Sequence, residues 1–509
     1  MIQLYRDRPW VFIGMVLANI LVSAWCIYRD PVINNDAITY LAISEQFVAG
    51  QWDQIFDYYS WPFYSIFVAI TAKILFLDVE TAAYVLNTLF ATLMTLAFVS
   101  IVSELSNNNK KIILIAAVII ILFPSINKYR PFIIRDFGYL CFYLWSLFFI
   151  FRFSTTLNKK HLIGWLACAS ISCLFRFEGI VFLLIAPYFL LLFVAKKIPN
   201  RRAILTSLSL VIILACLSLL IWYINDKYNA MIEMAKLTGQ DIDGVTDLFF
   251  LNIDHRLKGE ALTALSFFGV VMSNIGDVFY ELFRRMAIFY LIFAIYAYVT
   301  HIAFKVPLTR RIWLVYVIAN LIVLIGFSMY NNFLVSRYTM ATALTLLILA
   351  PFTINRIFDS FTHATAIKKF GISLIFILLA GISLDRLNMD TTKNHIKQAG
   401  VWLTENTAED AKVFSNNKLL IYYADQGIQA DLSSMYGFYP MIKRMVNNKI
   451  RYYDYIALVM KDTNMEHHHA RQTLTYMFGQ PIKIFRQDNS DDLTMLFKHT
   501  RPIPIPPPG

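Results

Sequence analysis

The chain has 509 residues, of which 58% are hydrophobic, 16% aromatic and only 16% charged, with a mean hydropathy of +0.55. A soluble domain carries about 25% charged residues, so this composition excludes an ordinary soluble enzyme and describes a polytopic membrane protein. The net charge of +11 is not a nucleic-acid footprint, and no nucleic-acid partner is expected. The cations cluster in short loops between apolar runs, where they set orientation in a bilayer.

In chain order, the first apolar run, 10–28, is long enough to span and lacks a small-residue cleavage site, so it reads as a membrane helix and not as a signal peptide. Just beyond it lies Asn34-Asn35-Asp36-Ala37-Ile38-Thr39-Tyr40, which opens an amphipathic stretch over 37–50. A juxtamembrane carboxylate is a functional candidate. Asp36 also suits the N-cap of a helix beginning at Ala37. The loop continues through Asp53 and Asp57 to Tyr58-Tyr59-Ser60-Trp61-Pro62.

Further apolar runs occur at 61–78, 82–103, 111–126, 137–153, 161–175, 179–195, 203–224, 285–304, 311–329, 336–354 and 367–385, with a shorter one at 263–276. Three polar interruptions stand out among them. Lys128-Tyr129-Arg130 through Ile134-Arg135-Asp136-Phe137 places three cations and a carboxylate at a helix entry, where Asp136 could pair with Arg135 or Arg130 and cap the helix. Arg176-Phe177-Glu178-Gly179 breaks an apolar hairpin, either as an ion pair holding the turn or as chemistry. Arg337-Tyr338 begins a long apolar helix, where Arg337 suits a snorkelling anchor or an anion ligand. The five cysteines, Cys26, Cys141, Cys168, Cys173 and Cys216, all lie in apolar runs and read as small buried hydrophobes.

The basic loops at Lys196–Arg202, Lys305–Arg311 and Arg356–Lys369, with Arg6 and Arg8, mark the cytoplasmic side, whereas the acid-bearing loops 29–60 and 225–262 face out. Strict alternation would put Arg201 and Arg202 outside. Parity returns if one run between 61 and 126 enters and leaves on the same side and if 263–276 is a surface-lying or re-entrant helix. Asp36 and the loops 127–136, 176–178 and 330–337 then share the outer face. The expected architecture is a polytopic α-helical membrane module over 1–385, with about 11–13 membrane helices. An extracytoplasmic α/β domain follows over 386–500, with strand-like runs at 412–415, 419–423, 455–460, 482–485 and 494–497 and helical signals at 392–406 and 440–448. The Pro-rich tail 501–509 cannot form a helix. His467-His468-His469 has no evident partner carboxylates, and no internal repeat of the kind many transporters carry stands out.

Two carboxylates and several guanidiniums at headgroup depth suit activation of a hydroxyl beside a leaving phosphate, because guanidinium binds phosphate oxygens in bidentate fashion and a carboxylate can abstract a proton. In this pattern the chain resembles the GT-C glycosyltransferases, polytopic enzymes that use polyprenyl-phosphate-linked sugars, and within them the bacterial aminoarabinose transferase and protein O-mannosyltransferase-like group. The residues that carry the resemblance are Asp36 in its Asn-Asn-Asp-Ala-Ile-Thr-Tyr context, Trp61-Pro62-Phe63, Arg135-Asp136-Phe137 and Phe175-Arg176-Phe177-Glu178-Gly179. Val401–Asn406 and Ala411–Ser415 resemble the outer domain of bacterial members.

The resemblance implies inverting transfer of a sugar from a polyprenyl-phosphate donor to a lipid, glycan or protein acceptor on the outer face of a bacterial inner membrane. It implies Asp36 as base and Asp136 orienting the acceptor or sugar, or sharing a metal. Arg130, Arg135, Arg176 and Arg337 then serve the leaving phosphate, with Tyr59, Glu178 and Tyr338 on substrate and membrane lipids around the prenyl groove. Whether a divalent metal takes part is left open. The rival readings are a transporter or flippase and a glycan polymerase or ligase acting on lipid-linked saccharides.

Overall fold

The computed structural model describes residues 9–55, 59, 61–184, 263–304, 306–331, 334–361, 363–387, 393–408, 410–425, 453–487 and 490–499. The runs expected at 203–224 and over most of 179–195, Cys216, the helical signal at 440–448 and the tail 501–509 lie outside the described residues.

The protein is a polytopic helical membrane protein with a small sheet. Among the described residues, six helices are long and apolar enough to cross a bilayer: Pro9–Arg29, Val79–Leu105, Lys110–Asn127, Asp136–Thr156, Pro307–Met329 and Ala366–Asp385; two bent pairs raise the number to eight if each is one span. The run expected at 61–78 forms a helix of only 13 residues, Phe63–Leu75. At about 1.5 Å rise per residue this is roughly 20 Å against a hydrocarbon core of roughly 30 Å.

The run expected as one span over 285–304 is divided. The surface-lying or re-entrant helix expected at 263–276 continues to Arg285, and after a 100° bend a second helix runs only from Phe289 to Val299. Ala287 and Ile288 make that corner with positive φ, 47° each. The helix expected over 336–354 is likewise broken, by 47° between Leu347 and Ala350. Pro351 explains it, since proline is tolerated in the first turn of a new helix and not inside an old one.

The chain divides into two compact units, one made of Met1–Val22, Leu89–Lys128 and Arg135–Arg386, the other of Ser23–Thr88, Tyr129–Ile134 and Leu387–Gly509. The first unit is built around the hairpin of helices Asp136–Thr156 and Lys159–Phe175. Two glycines let these helices touch. A Cβ on Gly138 would lie 2.4 Å from the Phe175 ring, and one on Gly164 would lie 3.0 Å from the Phe149 ring. Phe175 is fully buried, stacked on Phe142 with centroids 5.8 Å apart and edge-on to Phe90 at 5.2 Å.

The second unit combines the loop after the first span with the C-terminal region. Its sheet has the order β1 (Val413–Ser415), β2 (Tyr455–Lys461), β4 (Asp492–Lys498), β3 (Lys483–Arg486). β1 runs parallel to β2 and the other pairs are antiparallel. Phe414, Ile456, Leu458, Leu474, Met495 and Phe497 form its core. The strand-like run at 419–423 is instead a helix, Lys418–Tyr423, because Asn417 caps it by accepting the Leu419 N–H at 2.9 Å. That helix ties the loop down: Tyr423 Oη accepts the Ile33 N–H at 3.0 Å, and Tyr422 Oη donates to Glu80 Oε2 at 3.2 Å.

Gly138→Ala should cost about 1–3 kcal/mol by overpacking the ring of Phe175, and Gly164→Ala less, because its contact is looser. Thermal unfolding of the purified protein checks the order; equal stability of Gly138→Ala and the parent would contradict the packing account.

Candidate functional site

The residues at the top of the hairpin form a buried charged cluster. Asp136 is the first residue of its helix and is only 3% exposed, and Arg176, the C-cap of the neighbouring helix, is 4% exposed. Arg176 Nη1 donates to Asp136 Oδ1, and Nη2 donates to Glu178 Oε1 at 2.5 Å. One guanidinium therefore bridges two carboxylates from two different segments. Its face is covered as well, by the Tyr338 ring 4.0 Å away and by Tyr139 at 5.7 Å.

The local sequence explains how Arg176 arrives there. Phe175 fills the slot left by Gly138, which fixes the end of the helix. The chain then turns extended at Arg176 (φ −145°, ψ 126°) and passes through a single 3-10 turn, Phe177–Gly179. Gly179 is required because a Cβ there would meet the Ser172 hydroxyl at 2.8 Å and the Cys173 backbone nitrogen at 3.0 Å.

Arg135 stands at the N-terminal boundary of the helix carrying Asp136, and its charge acts on Glu178. Arg337 lies in the 3-10 turn Ser336–Thr339, half-buried, its guanidinium 5.6 Å from the Tyr338 ring. Asp136, Arg176, Glu178, Arg337 and Tyr338 line one pocket together with Tyr139, Asn320 and Phe327. Its cavity volume is about 20 Å³, room for roughly one water molecule.

The arrangement settles several alternatives. Asp136 pairs with Arg176 and not with Arg135 or Arg130. The Arg176–Glu178 pair does hold the hairpin turn, and Arg176 commits its donors to carboxylates inside the protein. Arg130 is in the second unit, where its Nη1 donates to the Ser23 hydroxyl at 2.6 Å; burial pulls its pKa down to about 10. Tyr59 also belongs to the second unit, packed edge-on to Tyr40 with centroids 6.2 Å apart.

Asp36 lies in that unit too, in the first turn of helix Asn35–Val48. It does not cap a helix at Ala37. The helix begins at Asn35, Asn34 holds the cap position, and the Asn34 side chain accepts the Ile133 N–H at 2.8 Å instead of capping. Asp36 is half-exposed. Among the described residues no group of three or more His, Cys, Asp and Glu is placed to hold a metal ion. His467 Nδ1 accepts the Lys461 N–H at 2.9 Å, a structural contact.

Two polar pocket residues, Tyr139 and Asn320, were not anticipated. Both sit inside apolar runs that read as membrane-buried core. A lone Asn in a span is the kind of polar group that marks function, and this was the available signal.

The solved structures that align with this chain include two of the Archaeoglobus fulgidus oligosaccharyltransferase. The one tethered to an acceptor peptide containing the NVT sequon has a TM-score of 0.43 at 14% identity, covering 79% of this chain and 58% of that one. The complex with zinc and sulfate has a TM-score of 0.49 at 12% identity, covering 91% of this chain and 69% of that one. No protein-family model and no curated protein matches the chain.

Glu178 gives the cluster a pH signature. Burial alone would raise its pKa, but the Arg176 guanidinium outweighs burial and holds the carboxyl below its ordinary value of 4.5. A lowered folded-state pKa contributes stability that is complete above the unfolded value and is lost as pH falls through the folded one. Stability should therefore decline as pH drops below about 4.5, and Arg176→Gln should flatten that decline. The same variant should lose roughly 3–5 kcal/mol at neutral pH, since it strands two buried carboxylates. Thermal unfolding across pH checks both, and an Arg176→Gln protein as acid-sensitive as the parent would contradict the pairing.

Proposed function

We propose that the chain is an inverting glycosyltransferase that moves a sugar from a polyprenyl-phosphate donor to an acceptor hydroxyl at the outer surface of the membrane. The observation that carries this reading is the pocket in which Asp136, Arg176, Glu178, Arg337 and Tyr338 meet. Four charged residues, Asp136, Arg176, Glu178 and Arg337, line it together.

In this mechanism the acceptor O–H bonds to the anomeric carbon from the face opposite the phosphate. The bond between that carbon and the phosphate oxygen breaks, the electron pair leaves with the phosphate, and the hydroxyl proton passes to a carboxylate. Asp36 is the proposed base. It is half-exposed, whereas Asp136 is engaged by Arg176 and is suited to orienting a substrate. Arg337 and Arg135 supply the positive charge for the leaving phosphate, because the donors of Arg176 already face Asp136 and Glu178. The apolar surfaces of the helices would hold the prenyl tail.

Full-length protein in lipid nanodiscs, supplied with polyprenyl-phosphate sugars, tests the assignment. Asp36→Asn should reduce kcat by roughly 10²- to 10⁴-fold without changing membrane insertion or thermal unfolding. Arg337→Ala should raise the KM for donor with a smaller effect on kcat. Full activity in Asp36→Asn would sink the base assignment, and unchanged donor kinetics in Arg337→Ala would make that residue an interfacial anchor.

A further inference from the structure

Asn320 is 4% exposed, lies in the middle of helix Pro307–Asn331 and lines the charged pocket. Its Nδ2 donates to the Tyr316 carbonyl at 2.7 Å and to the Tyr143 hydroxyl at 2.8 Å. A backbone carbonyl can only accept, so the amide orientation is fixed by its neighbours and is not a matter of choice.

The rest of the chain of hydrogen bonds agrees. Thr345 Oγ1 donates to the Ala341 carbonyl at 2.7 Å, which leaves the Tyr143 hydroxyl as donor to Thr345 Oγ1 at 2.5 Å and as acceptor from Asn320. Every donor in the series is taken by a neighbouring acceptor within the protein. Both amide hydrogens of Asn320 are used, and among the described residues no protein donor meets its Oδ1. Asn320 thus brings an amide acceptor to a pocket that also holds Asp136, Arg176, Glu178 and Arg337. Its Oδ1 is not one of the fully buried polar atoms that lack a partner, so it stays reachable by a ligand donor.

We propose that Asn320 Oδ1 is a substrate-reading acceptor that takes a hydrogen bond from one hydroxyl of the sugar on the lipid-linked donor. This rests on the glycosyl-transfer reading above and deepens it. An Oδ1 contact reads one hydroxyl of the sugar and so tests a single substituent. Arg337 in the same pocket offers the charge for a phosphate, and in a sugar phosphate the two groups lie within one ring's width of each other. Tyr143 and Tyr316 act through Asn320 as positioning residues.

The test uses full-length protein in nanodiscs and measures binding, without acceptor, of polyprenyl-phosphate glucose and polyprenyl-phosphate mannose and of their mono-deoxy analogues. Parent protein should lose about tenfold or more in affinity for one deoxy analogue and little for the others. Asn320→Leu should bind the full sugar as weakly as the parent binds that analogue, and should no longer distinguish the two. Asn320→Asp, which keeps an acceptor in place, should retain the discrimination at least in part, and thermal unfolding of each variant reports folding separately.

The proposal is overturned if Asn320→Leu discriminates among the analogues as the parent does, or if it binds the donor unchanged, in which case a water occupies the cavity. If the parent binds neither lipid-linked sugar but does bind polyprenyl phosphate alone, the sugar contact is wrong while the phosphate reading stands. Binding of none of them overturns the glycosyl-transfer reading itself.

Discussion

The candidate site depends on the placement of one guanidinium between two carboxylates. Arg176, Asp136 and Glu178 are taken largely out of water, and removing charges from water costs several kcal/mol each unless geometry and hydrogen bonds offset it. Here each carboxylate receives a guanidinium N–H, and the Tyr338 ring covers the cation. A pair of apolar residues would hold a hairpin at lower desolvation cost. The use of three charges instead is a device for fixing positions, and it draws the Arg337–Tyr338 turn, from a segment some 160 residues further along, against the same guanidinium.

Close backbone approach makes that placement achievable. Gly138 and Gly179 flank the cluster, and each would place a Cβ into an occupied position if substituted by any other residue. Phe175 locks into the first of these gaps and delivers Arg176 to the head of the adjacent helix. The Phe-Arg-Phe-Glu-Gly sequence thus divides its work: an apolar anchor, a cation, an exposed aromatic, a carboxylate and a residue without a side chain. Asn320 belongs to the same site from the opposite direction, held by a hydrogen-bond series that runs deeper into the helices through Tyr143 and Thr345.

The class of fold was legible because a bilayer demands long apolar runs, and the alternation of β-branched runs with polar segments marked β1, β2, β3 and β4. Exact spans were harder to read. Composition does not reveal that Phe63–Leu75 stops short, nor that the corner at Ala287 and Ile288 divides a run that is apolar throughout. The helix Lys418–Tyr423 has a strand-like sequence, and the cap at Asn417 decides otherwise. In the site, the charges in loops were found from their cost near a membrane, whereas their partners were not: Asp136 lies beside Arg135 in sequence and pairs with Arg176, forty residues away. Tyr139 and Asn320 escaped notice since hydrophobic periodicity reports which face is buried and not which buried polar atom faces a cavity. Asn34 was overshadowed by Asp36, although its side chain grips the Ile133 backbone.

The most direct measurement is the stereochemistry of the product. Purified full-length protein in nanodiscs would be given a polyprenyl-phosphate sugar of known anomeric configuration, labelled in the sugar, and the released or transferred sugar would be examined by NMR. The account predicts that label leaves the lipid, that polyprenyl phosphate accumulates in step, and that the new glycosidic bond has the opposite configuration. Retention of configuration would contradict single-step displacement, and label that remains on intact lipid while changing membrane leaflet would replace the enzyme with a flippase.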